Sequence, residues 1–141
     1  MQRVRDLAAL VGRIGVGVVF IAHGWQKFTE WGMGGTVAAF GQMGVPLPTL
    51  SAWFAAIVEL VGGAMLIAGV ALPVVGSLLA LNMVGALVLV HLPNGLLGQG
   101  GYEFVLVLAV AALALGFNGG AYSVDRLLLG RRTAEREPVA A

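Results

Sequence analysis

The residues of this chain that can do chemistry are few and lie within otherwise apolar runs. Arg13, Gly17, Phe20, Gly24 and Lys27 step by four, three, four and three residues, which puts them on one face of a helix. The run around them has the length and apolarity of a membrane span, where a centred charge costs roughly 2.5–3.5 kcal/mol. Such a stripe must face other helices. Two further runs each carry one polar residue at depth, Glu59 and Asn82. At 1.5 Å per residue, Arg13 lies about 9 Å inside the basic end of its helix, with Glu59 near mid-span and Asn82 slightly toward the same basic end. The spacing therefore predicts a buried Arg13–Glu59 ion pair, with Asn82 satisfying leftover donors. It would act as structural glue that fixes helix register, or as a proton or ligand site.

A second polar layer is expected near the other membrane face. His23, Gln26 and Lys27 close the first apolar helix, His91 closes the third and Glu103 opens the fourth. His23, Lys27, His91 and Glu103 are the candidates for ligand binding or proton transfer. A quinone headgroup suits them best, with His or Lys donating to a carbonyl oxygen. A bis-histidine haem between His23 and His91 has little support, because His91 sits at the last turn of its helix. His23, His91 and Glu103 offer ligand types suited to zinc or iron but no local ligand spacing, so no metal site is assigned. Trp25, Trp31, Trp53 and Tyr102 fit the aromatic belt of a bilayer interface.

The elements that must position these residues are helices. Spans are expected at about 7–28, 49–70, 73–92 and 102–117, the last being short for a full crossing. Thr36 is placed to cap a short interfacial helix over 36–43, with Val37, Phe40 and Met43 on its apolar side. Gly44-Val45-Pro46-Leu47-Pro48 breaks it, Pro73 suits a first helical turn, and Pro93 to Gly101 is a glycine-rich loop. After Asn118-Gly119-Gly120, Ser123 reads as the cap of an amphipathic surface helix from Val124 to about Arg132. The fold class is thus all-α, an integral membrane four-helix bundle over 1–128. A tail over 129–141 has no reason to be ordered.

Composition agrees. The 141 residues are 59% hydrophobic and only 11% charged, with a mean hydropathy of +0.93, against about 25% charged in soluble domains. There are 22 glycines, which permit close helix crossings in lipid. Gly17, Gly24, Gly62, Gly63 and Gly69 are the ones expected to do so. No cysteine is present, which excludes thiol–disulfide exchange, cysteine-held iron–sulfur clusters and covalent c-type haem within the chain. Arg3 and Arg5 precede the first span, and Arg126, Arg131, Arg132 and Arg136 follow the last. The positive-inside rule then puts both termini in the cytoplasm, in a plasma (inner) membrane protein. Arg13 interrupts the first apolar run and no usual cleavage site closes it, so the N-terminus reads as a retained helix rather than a signal peptide.

These blocks resemble the DoxX family of small bacterial membrane proteins. Arg13, Gly17, Phe20, Gly24 and Lys27 are similar to its opening signature. Gly44-Val45-Pro46 followed by Glu59, Gly62, Gly63 and Gly69 resembles its second block. His91 and Glu103 resemble polar positions flanking its last outer loop, and Gly120-Ala121-Tyr122-Ser123-Val124-Asp125 resembles its terminal motif. The likeness runs from about Arg5 to Leu128. It implies a four-helix inner-membrane protein from a family named for a subunit of a thiosulfate:quinone oxidoreductase. One actinobacterial relative is linked with a superoxide dismutase and a sulfurtransferase; similar proteins include membrane chaperones and a maturation factor.

Two functions follow as expectations. The first is a membrane subunit or anchor of a redox-associated complex, binding quinone or a small sulfur species and joined by soluble redox-protein partners. The second is a non-catalytic membrane scaffold or chaperone. A solute channel or transporter stands third, since four helices are few for a transporter monomer. The lipid bilayer is the certain partner, glycine-rich helix faces favour a homo-oligomer, and nothing suggests nucleic acid.

Overall fold

A computed structural model describes residues 1–134. Six helices follow in order: α1 (Gln2–Thr29), α2 (Gly32–Gln42), α3 (Pro48–Ala68), α4 (Leu72–Ala86), α5 (Glu103–Phe117) and α6 (Val124–Ala134). The α4 axis runs on through a π turn, Leu87–His91, and a 3₁₀ turn, Leu92–Asn94. Three of these segments are long and apolar enough to cross a membrane: α1, α3 and the stretch Leu72–Asn94. The 15 residues of α5 span about 22 Å, short of a ~30 Å hydrocarbon layer.

The bundle is built from two close pairs, α1 against α3 and α4 against α5, joined by α3 against α4. Glycine sets both close crossings. A Cβ on Gly24 would sit 2.6 Å from Leu60 N, and one on Gly63 would sit 2.8 Å from Gly17 O. In the other pair a Cβ on Gly76 would meet Gly116 Cα at 2.6 Å. The expected packing role therefore holds for Gly17, Gly24 and Gly63, while Gly62 faces Leu79 of α4. The Gly76–Gly116 contact was not foreseen. Around these seams Phe20, Leu66, Leu79 and Ala112 are completely buried, whereas Val11, Val18, Leu81, Val107 and Val110 are exposed. Apolar side chains on the outside of an apolar bundle are what lipid, not water, stabilises.

The boundaries shift where local chemistry decides them. Helix α1 begins at Gln2, since no breaker precedes Leu7 and Asp6 is buried against the far end of the chain. Helix α3 stops at Ala68 because Gly69 takes φ +76° and its N–H returns to Met65 O, a left-handed C-terminal turn that glycine alone adopts cheaply. A side chain there would also collide with Arg13 and Ser123. Helix α2 starts at Gly32, so Thr36 is not its cap. Thr36 is buried, and its hydroxyl faces both Lys27 O (3.1 Å) and Gly32 O (2.9 Å), stitching α2 to the last turn of α1. Ser123 does cap α6, its Oγ accepting from Arg126 N at 3.4 Å. Helix α6 continues to Ala134, past the expected start of an irregular tail at 129; residues 135–141 lie outside those described.

Chain direction follows from the ends. Tyr102 N and Glu103 N bond to Gly95 O and Leu96 O, while Ala121 N bonds to Asp6 Oδ1 at 2.9 Å. Helix α5 therefore returns from the loop end of the bundle to the end that holds the start of α1. Both this start and α6 sit at that terminal end.

Candidate functional site

The buried face of α1 consists of Asp6, Arg13, Gly17, Phe20, Gly24 and Lys27, the predicted stripe extended by one acid. Its last member makes the central contact. Lys27 Nζ lies 2.5 Å from Glu59 Oε2, and Asn82 Nδ2 donates to Glu59 Oε1 at 2.9 Å. Lys27 and Glu59 are 8% and 4% exposed, so the pair is removed from solvent. Both carboxylate oxygens are engaged, and Lys27 Nζ also approaches His23 O at 3.4 Å. Three helices thus contribute one cation, one anion and one amide to a single network.

Helix register explains this partnership, and it corrects the expected Arg13–Glu59 pair. Gly24 packs on Leu60, Gly17 on Gly63 and Arg13 beside Gly69, as two antiparallel helices require. Arg13 is thus level with a residue ten positions beyond Glu59, about 15 Å along α3. Helical side chains lean toward their own N-terminus. Lys27 leans back onto the level of Glu59, whereas Arg13 leans further away from it. Depth counted from an assumed membrane boundary missed that offset. The Asn82–Glu59 contact is formed as expected.

Arg13 instead anchors the terminal end. It is completely buried, its Nη2 donates to Tyr122 O, and its Nε and Nη1 have no hydrogen-bond partner among the described residues. Two acids complete a clasp there: Asp6, which sequence reasoning left out, and Asp125, which it placed only within the terminal motif. Asp6 Oδ1 accepts from Ala121 N. Asp125 accepts from Ala71 N (2.8 Å) and Leu72 N (2.9 Å), and its own N–H donates to Gly69 O (3.0 Å). A carboxylate from α6 therefore caps the N-terminus of α4, where Ala71 is held at φ +49°. The signal for Asp6 was present: it precedes Arg13 by seven residues, two turns on the same face.

The expected second layer is not one cluster. Lys27 turns inward to Glu59. His23 is exposed and rests its ring on Phe104, 5.8 Å between centroids at 54°. His91, in the π turn, directs Nδ1 to Gly100 O at 2.7 Å, a carbonyl that also accepts from Asn94 Nδ2. Glu103 is exposed in the first turn of α5, where a carboxylate meets the positive end of the helix dipole. Among the described residues no three His, Asp or Glu side chains converge in a metal-holding group.

Comparison with known proteins agrees with this architecture. The profile of the DoxX family matches residues 8–92. A Bacillus subtilis protein named "Putative oxidoreductase CatD" is 36% identical over 115 residues, covering 82% of this chain and 83% of its own. A Mycobacterium tuberculosis protein named "Uncharacterized membrane protein Rv3486" is 34% identical over 137 residues, covering 86% and 82%. No solved structure matches the chain.

Proposed function

We propose that this chain, which belongs to the DoxX family, is a membrane subunit or anchor of a redox-associated complex that binds a quinone or a small sulfur species. The observation that carries the reading is the Lys27–Glu59–Asn82 network. A charge pair held within apolar helices is costly, and intramembrane ionisable residues mark ligand or proton sites by default. The name of the Bacillus subtilis relative supports a redox setting. With no cysteine in the chain, electrons come from a soluble partner protein, and this subunit supplies binding and proton placement.

The residues suit a quinone headgroup at the seam of α1 and α5. His23 and Phe104 form an exposed aromatic pair there, and the His23 carbonyl touches the buried Lys27 ammonium one turn on. The imidazole would donate to a quinone oxygen. Behind it, Lys27 Nζ donates to Glu59 Oε2 in a compact buried ion pair. The arginines at the terminal end support a plasma (inner) membrane orientation with both termini cytoplasmic; the network would then lie toward the outer half.

The test is binding of a soluble quinone, decyl-ubiquinone, to the purified full chain. One quinone per chain is expected. His23→Ala should weaken it about tenfold, the worth of one good hydrogen bond to a charged or strongly polar group, with the unfolding midpoint unchanged. Quinone binding that is absent, or identical in the variant, would sink this reading. One observation favours the scaffold or chaperone reading: both oxygens of Glu59 are already satisfied within the bundle, as a register-setting pair requires. A wild-type protein that binds no quinone would leave that as the better account.

A further inference from the structure

The end of the bundle opposite the Lys27–Glu59 pair carries a cleft of about 1050 Å³. It opens between the first turns of α1, the start of α4, the end of α5 and the face of α6. Its polar wall includes Arg5 and Arg126, and its apolar wall includes Leu72, Pro73, Phe117 and Leu128. Two acids, Asp6 and Asp125, also line it and keep their charge, but their hydrogen bonds go to neutral donors. Asp6 Oδ1 accepts Ala121 N and Gln2 Nε2, and both oxygens of Asp125 accept backbone amides of α4. Asp6 Oδ1 and both oxygens of Asp125 thus serve the clasp, and among the described residues the two guanidinium groups have no ion-pair partner.

We propose that this cleft is a phospholipid headgroup site in which Arg5 and Arg126 hold the phosphodiester. Guanidinium groups offer paired N–H donors that match phosphate oxygens. The position fits a lipid rather than a soluble anion, because three apolar helices end here, at the level where headgroups lie. Phe117 and Leu128 are 64% and 51% exposed and continue the cleft outward as an apolar surface for the upper acyl chain. The exposed Leu127 beside them gives α6 the same preference for an interface. A phospholipid seated there would bridge α1 and α6 across the clasp, adding to the contact between Asp6 and Ala121.

The test is native mass spectrometry of the full chain in detergent, titrated with short-chain phosphatidylglycerol. One saturable lipid per chain is expected. Arg5→Gln with Arg126→Gln should weaken it about 30-fold, from roughly fivefold for each arginine near a lipid surface. Arg3→Gln, outside the cleft, should leave it unchanged. Inorganic phosphate at the same concentration should not displace the lipid. Equal lipid binding by the double variant would overturn the proposal, as would displacement by inorganic phosphate, which would mark a free-phosphate site. Should the double variant unfold, Arg5→Lys with Arg126→Lys keeps both charges but not the paired donors. It should bind with intermediate affinity, and wild-type affinity there would equally overturn the claim of a guanidinium grip.

Discussion

Replacing Lys27 and Glu59 singly and together separates an ion pair that fixes the bundle from one that merely fits it. In Lys27→Met, Glu59 keeps its 4% exposure and its bond to Asn82 but faces no cation. Breaking a buried pair from one side costs about 3–5 kcal/mol. In Glu59→Met, Lys27 can extend toward water from the end of α1, which lowers the charge penalty. Asn82 Nδ2 then loses its acceptor, adding about 1–3 kcal/mol. The double variant Lys27→Met/Glu59→Met contains neither stranded charge, and its cost should fall to that of the orphaned amide alone, about 1–3 kcal/mol. The coupling between the sites is then at least ~3 kcal/mol, well above the few tenths expected of independent positions. The assay is equilibrium unfolding in mixed micelles, with all variants at one lipid-to-protein ratio. If the double variant loses the sum of the two single losses, within about 0.5 kcal/mol, the two side chains do not interact and the network drawn here is wrong.

Two further outcomes follow from the same geometry. Asp125→Ala removes the acceptor for both Ala71 N and Leu72 N, so it should destabilise the protein by about 1–2 kcal/mol, the range of a lost helix cap. Hydrogen exchange should rise in the first turn of α4 and not in α5, and unchanged protection at Ala71 and Leu72 would contradict the cap. Gly24→Ala places a methyl 2.6 Å from Leu60 N, a backbone contact that cannot yield by rotamer change. A loss of about 1–3 kcal/mol is expected, whereas Gly15→Ala, with nothing within 4 Å of its Cβ, should cost nothing; equal unfolding midpoints for the two would refute the close crossing.

Much of the architecture was legible because lipid imposes simple rules. The apolar runs, the breaking segment that ends at Pro48, and the buried stripe on α1 are all local features of the chain, and the structure keeps them. What was hidden is non-local. Thr36 reads as a cap because a hydroxyl beside an apolar run usually caps a helix. Its actual acceptor, Lys27 O, depends on how tightly α2 folds back on α1. Asp125 reads as part of α6, and nothing local shows that its carboxylate serves a helix beginning more than fifty residues earlier. The Gly76–Gly116 crossing escaped for the same reason. Gly76 on α4 and Gly116 on α5 are unremarkable until the register aligns them.

Register also decides what the two buried cations of α1 become. Arg13 and Lys27 share a face and a charge, and depth alone suggests that the deeper one should find Glu59. Side chains of a helix lean toward its N-terminus, so on antiparallel α1 and α3 each cation reaches further along α3 than its own Cα. Lys27 gains Glu59 by this offset, and Arg13 passes it to reach the clasp. The carbonyl of Tyr122 that receives Arg13 is neutral, and the nearby carboxylate of Asp125 is the charge that offsets the burial of the guanidinium. The stripe therefore works as two different devices, a structural anchor at the terminal end and a compact charged network toward the loop end, set by where α3 happens to place its acid.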